Sequence, residues 1–138
     1  MGGVVHFEIP ADDRDRARNF YNQALGWRID PMAEMDYDVV VTTPMDEKTG
    51  RPTEPGAING GMMGRDGELT SPVITVDVED IDATLKTVEQ LGGSVVKAKE
   101  TIPGMGHYAY FKDTEGNILG LWENLPADTG SASGGATG

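Results

Sequence analysis

Apolar and polar side chains alternate almost from the first residue. Val4-Val5-His6-Phe7-Glu8-Ile9 puts Val5, Phe7 and Ile9 on one face and His6 and Glu8 on the other, the period-two pattern of a strand, with Pro10 as its stop. The period then lengthens. Asp12 or Asp13 caps a helix whose apolar positions Ala17, Phe20, Tyr21, Ala24 and Leu25 recur at i, i+3, i+4, i+7 and i+8, and Gly26 ends it. Residues 27–30 and 37–43 read as strands, 44–56 as a Pro/Gly/charge-rich loop, and 57–63 as a fourth strand interrupted by glycines.

After a polar linker over 64–71 the same order returns. Residues 73–78 alternate as a strand, and Asp80 caps a helix with Ile81, Leu85, Val88 and Leu91 on one stripe, stopped by Gly92-Gly93. Strands follow at 94–102 and 107–112, a turn at 113–117, and a last strand at 118–123. The pattern predicts an α+β fold of two βαβββ modules, 1–63 and 72–123, and neither module buries its sheet face easily alone. From residue 124 the chain is Pro/Ala/Gly/Ser-rich and has too little apolar surface to order itself, so 124–138 is expected to be a disordered tail.

Composition narrows the function classes. In 138 residues there are 23 Asp and Glu against 11 Lys and Arg, a formal charge of −12, and no cysteine. Such a surface repels nucleic acid and anionic lipid. The missing cysteine removes disulfides and thiol nucleophiles. With no apolar run of spanning length and no leader pattern, no membrane partner is expected, and a cytoplasmic location is the default. No dinucleotide fingerprint, phosphate loop, H-E-x-x-H or G-x-S-x-G stands in the sequence. The loop at 44–56 is where a lid or a partner contact would lie.

The segment His6-Phe7-Glu8-Ile9-Pro10-Ala11-Asp12-Asp13, with Arg16-Ala17-Arg18-Asn19-Phe20-Tyr21 and Leu25-Gly26-Trp27, resembles the first module of the vicinal oxygen chelate superfamily of glyoxalases, bleomycin-resistance proteins and extradiol dioxygenases. Val76 to Asp82, Leu91-Gly92-Gly93, Asp113 to Asn117 and Leu121-Trp122-Glu123 resemble its second module, so the likeness spans roughly residues 3 to 124. Ile102-Pro103-Gly104-Met105-Gly106 is similar to a glyoxalase-like branch. The resemblance implies modules paired into a cup-shaped curved sheet with helices outside, Phe20 and Tyr21 packing on strand one, and His6 and Glu8 pointing into the cup.

It also implies a metal site with ligands from the first and last strands of each module. Carried onto this chain, those positions fall on His6, Val73, Gly60 and Gly120, so His6 is the one surviving ligand. A slip of one residue offers Asn59 or Gly61, or Leu119 or Leu121, and moving Val73 by two offers Thr75; none is a carboxylate. No cofactor is therefore expected, and a divalent metal would need a rearranged site of His6, Glu8 and His107.

What remains is a small-molecule pocket lined by His6, Glu8, Met62, Val73, Thr75, His107 and Trp122, over a floor of Gly60 and Gly120. The expectation is a glyoxalase-like small-molecule-binding protein lacking the standard metal ligands. The alternative is a lyase, isomerase or dioxygenase-type enzyme using His6 and Glu8 as an acid/base couple, or the rearranged metal site. A homodimer would cover the exposed sheet edges.

Overall fold

The computed structural model describes residues 2–32 and 35–126; most of the expected tail, 127–138, lies outside the described residues. The element order is β1 (Val4–Ala11), α1 (Arg14–Leu25), β2 (Arg28–Met32), β3 (Tyr37–Val41) and β4 (Gly60–Gly64), then β5 (Val73–Asp77), α2 (Ile81–Gln90), β6 (Ser94–Ile102), β7 (Gly106–Lys112) and β8 (Ile118–Asn124). The βαβββ order thus occurs twice in an α+β fold. The chain divides into two compact units, residues 5–74 and residues 75–126 with 2–4.

In the first unit the strand order is β2-β3-β4-β1, with β1 parallel to β4 and the other neighbours antiparallel. The second unit repeats it as β6-β7-β8-β5, with β5 parallel to β8. Pro10 does not stop β1, which runs on to Ala11 with Pro10 opposite Met63. Proline's φ suits a strand, and only its missing N–H restricts where it can stand.

Each helix covers one face of its own sheet. Asp13 caps α1 by accepting the Arg16 N–H, and Gly26 closes it in the left-handed region. Beneath α1, Ala11, Ile29, Val40 and Met62 form the buried core, with Phe7, Ala17, Tyr21 and Trp27 packed on it. The side that α1 turns inward is Arg14, Ala17, Arg18 and Tyr21, an i, i+3, i+4, i+7 stripe, whereas Phe20 is 62% exposed and Leu25 56%. The expected packing of Phe20 on strand one is therefore corrected. Buried Asp38 on β3 draws the helix round, with Arg14 Nη1 and Arg18 Nη1 at 3.5 and 3.6 Å from its Oδ1.

In the second unit Ile81, Leu85, Ala109 and Leu121 form the core, flanked by Val76, Val78, Val95 and Phe111. Asp80 caps α2 through the Ala83 N–H, and Glu123 on β8 accepts the Ile81 N–H at 2.8 Å. Among the described residues no helix is long and apolar enough to cross a membrane.

Two substitutions test this facing. Met62→Ala deletes a wholly buried side chain and is expected to cost about 2–5 kcal/mol in urea denaturation. Phe20→Ser should stay within about 0.5 kcal/mol of the parent. A reversed order would contradict the packing of α1.

Candidate functional site

The parallel pairing of β1 with β4 sets Phe7 opposite Gly60, Glu8 opposite Gly61 and Ile9 opposite Met62. Directly paired residues share a face, and the face alternates along each strand. Gly60 and Met62 therefore lie on the α1 side with Phe7, and Gly61 lies with Glu8 and His6. The expected placement of Gly60 and Met62 beside His6 is corrected by one residue of register. Met62 is core, and Gly60 has no side chain because the Phe7 ring covers it.

On the opposite face a side chain absent from the expected lining completes the cluster. Tyr37, the first residue of β3, lays its ring over Gly61, where a Cβ would overlap the phenol. Its hydroxyl donates to Glu8 Oε2 at 2.8 Å and lies 2.9 Å from His6 Nε2. Glu8 is buried, and His6 and Tyr37 are half-buried. Burial pushes the His6 pKa below its ordinary value, and the negative charge of Glu8 partly opposes that shift. The imidazole is consequently neutral at pH 7 (an ordinary His titrates near 6.5).

The remaining expected residues fall on both faces of their strands. Thr75 pairs with Gly120, which pairs in turn with Tyr110, and Tyr108 pairs with Trp122, so these five share one face of the second unit. The space at Gly120 is occupied: a Cβ there would lie 2.8 Å from Thr75 Oγ1 and 3.4 Å from a Tyr110 ring carbon. Val73 is buried and, two residues before Thr75 on β5, points to the same side of that strand. Trp122 covers Gly106 and donates from Nε1 to Asn124 Oδ1 at 3.0 Å.

His107 is on the other face. Two residues from core residue Ala109 on β7, it shares that residue's face and lies on the α2 side, with Nδ1 at 2.9 Å from Thr101 Oγ1 and Nε2 at 3.9 Å from Glu123 Oε2. Its expected place in the pocket is corrected by the alternation of β7. A cavity of about 150 Å3 opens beside α1, over Arg14, Arg18 and Asp38, and belongs to the ion pairs that seat the helix.

The donor set does not suit a divalent ion. Such a site needs about four to six converging N and O ligands. His6 and Glu8 offer two side chains, the facing β4 position is Gly61, and Tyr37 bridges the two donors. Among the described residues no group of three or more His, Asp or Glu side chains could hold a metal.

Tyr37 was not among the expected lining residues, and Gly61 stood there only as the outcome of a one-residue slip, because Gly60-Gly61-Met62-Met63 has no alternation from which to read a register. One signal was available. An aromatic residue next to a strand glycine commonly lies across it, and Tyr37 begins the strand neighbouring this glycine pair.

The model for the family described as "Bleomycin resistance protein-like N-terminal" matches residues 4–44. A "Glyoxylase-like domain-containing protein" of Didymella fabae is 30% identical over 121 residues, covering 84% of this chain and 89% of that one. A "Probable lactoylglutathione lyase" of Vibrio parahaemolyticus is 27% identical over 133 residues, covering 94% and 96%. Among solved structures, methylmalonyl-CoA epimerase from Mycobacterium tuberculosis matches with a TM-score of 0.55 at 17% identity, over 90% of this chain and 89% of that one, a likeness of fold. The repeated βαβββ order and relatives that match nearly end to end agree: the chain belongs to the glyoxalase-like proteins of the vicinal oxygen chelate superfamily.

Proposed function

We propose that this is a glyoxalase-like small-molecule-binding protein whose ligand meets the His6 face of the first unit, without the metal of its metal-dependent relatives. The observation that carries this reading is the Tyr37 hydroxyl between His6 and Glu8, held over Gly61. A phenol stands there in place of a third ligand. Buried polar groups joined in this way form a preorganised, orientable contact for a ligand.

The hydrogen-bonded chain also favours a second reading, an enzyme that uses His6 and Glu8 to move a proton. A neutral imidazole backed by a carboxylate is a competent base near neutral pH. Of the reaction types the family suggests, lyases and isomerases turn on such proton transfers. The relatives bearing the names lactoylglutathione lyase and epimerase support an enzyme of that kind.

Thermal-shift screening of small metabolites and divalent cations tests the binding reading. A true ligand at about 100 times its Kd adds about 2.7 kcal/mol of stability, and the gain should vanish in His6→Gln. Equal stabilisation of parent and variant would place the ligand elsewhere. A divalent ion whose effect depends on His6 would replace this reading with a rearranged metal site.

The depressed His6 pKa predicts a pH dependence. Below about pH 6.5 the unfolded chain binds a proton that the folded state takes up only at lower pH. Stability therefore falls with pH until the folded pKa is passed, and is constant below it as far as His6 is concerned. Melting temperatures of the parent and His6→Gln should diverge across that window, with the variant showing the shallower fall. Parallel curves would show that His6 is not buried as a neutral group.

A further inference from the structure

The direction of the two hydrogen bonds at Tyr37 fixes which atom the site offers. The phenol has one hydrogen, and its oxygen lies 2.8 Å from Glu8 Oε2 and 2.9 Å from His6 Nε2. A carboxylate accepts and cannot donate, so the phenolic hydrogen goes to Glu8. The Tyr37 oxygen then has only lone pairs to turn toward His6, and Nε2 must carry the hydrogen between them. The opposite tautomer would set two lone pairs against each other at 2.9 Å. A neutral imidazole has one N–H, and this one is spent inward, so Nδ1 keeps a lone pair.

We propose that Tyr37 is a positioning residue that holds His6 in its Nε2–H form, so that the site presents the Nδ1 lone pair, backed by Glu8, to a ligand carrying a hydrogen-bond donor.

The ligand class follows from charge. The His6–Tyr37–Glu8 chain carries one formal charge, the Glu8 carboxylate. A hydroxyl, enol, amide N–H or ammonium group donating to Nδ1 gives the imidazole positive character, which the carboxylate stabilises through the phenol. A group with only acceptor atoms, a carboxylate above all, meets a lone pair and the same negative charge. This preference rests on the reading that the His6 face takes the ligand; the tautomer does not.

Nitrogen-15 NMR of the full chain, with the His6 signals identified by their loss in His6→Gln, separates the two parts. At roughly pH 7.5, where imidazole is neutral, the parent is expected to show a single tautomer with Nε2 protonated and an Nε2 hydrogen slow to exchange. In Tyr37→Phe that hydrogen should exchange at least about tenfold faster, and the tautomers should mix. A Nδ1–H form or a mixture in the parent overturns the proposal even if Tyr37→Phe fails to fold. Unchanged exchange in a folded Tyr37→Phe overturns it as well.

Phenol and anisole, both neutral aryl oxygen compounds, probe the ligand class: in anisole a methyl group replaces the hydroxyl hydrogen and removes the donor. Phenol should move the Nδ1 resonance at a concentration at least about tenfold lower than anisole. Equal potency overturns the donor preference. If neither probe moves the resonance, the donor preference and the His6-face reading both fall, and the tautomer result stands by itself.

Discussion

The pairing of β1 with β4 is the constraint on which the first unit depends. Setting Glu8 opposite Gly61 settles at once which side chains enter the core under α1 and which face away from it, because one residue of slip exchanges the two faces. Several independent contacts pin that register. Met62 fills the core under α1, and the Phe7 ring covers Gly60. Just before β4, Asn59 Oδ1 accepts the backbone N–H groups of Thr42 and Thr43 at 2.7 and 3.0 Å, and its Nδ2 donates to the Thr43 carbonyl at 3.2 Å. This clamp ties the end of β3 to the start of β4 across the long loop that joins them. Asn59 is itself buried, so its three bonds satisfy a polar group that would otherwise be costly to bury.

A common device appears in both units. The last strand carries a glycine on the face away from the helix, and a tyrosine from the preceding strand approaches it: Tyr37 at Gly61, and Tyr110, with Thr75, at Gly120. The consequences differ with the first strand of each unit. In the first, β1 supplies an imidazole and a carboxylate, and the phenol joins them into a polar chain. In the second, β5 supplies Thr75, and Tyr108, Tyr110 and Trp122 make that face mainly aromatic. Repeated topology thus carries polar chemistry in one unit and an aromatic surface in the other.

The acidity of the chain, −12 overall, also reaches the interior at one point. Asp38 is 1% exposed, and its attraction for Arg14 and Arg18 decides which side of α1 faces the sheet. Both arginines have further carboxylate partners at the surface, Asp36 for Arg14 and Asp15 for Arg18. Burying a lone carboxylate is expensive, and two guanidinium groups offset that cost at this site. The helix is therefore seated by charge as well as by Ala17 and Tyr21, and Phe20 and Leu25 are left in solvent.

Local rules were enough for the element pattern. Alternation, Asp13 and Asp80 caps, Gly26, and the recurrence of the same signals after residue 72 were enough to specify two βαβββ modules and to put His6 and Glu8 on the face opposite Phe7. The remaining features follow from long-range packing, because each depends on a partner distant in the chain. The glycine run of β4 has no side chains to reveal its facing, so Gly61 replaced Gly60 only through pairing with β1. Phe20 fits an apolar stripe that a buried aspartate on another strand overrules. Tyr37 joins His6 and Glu8 across about 30 residues of sequence because its ring fits over a glycine, a complementarity that no local pattern encodes.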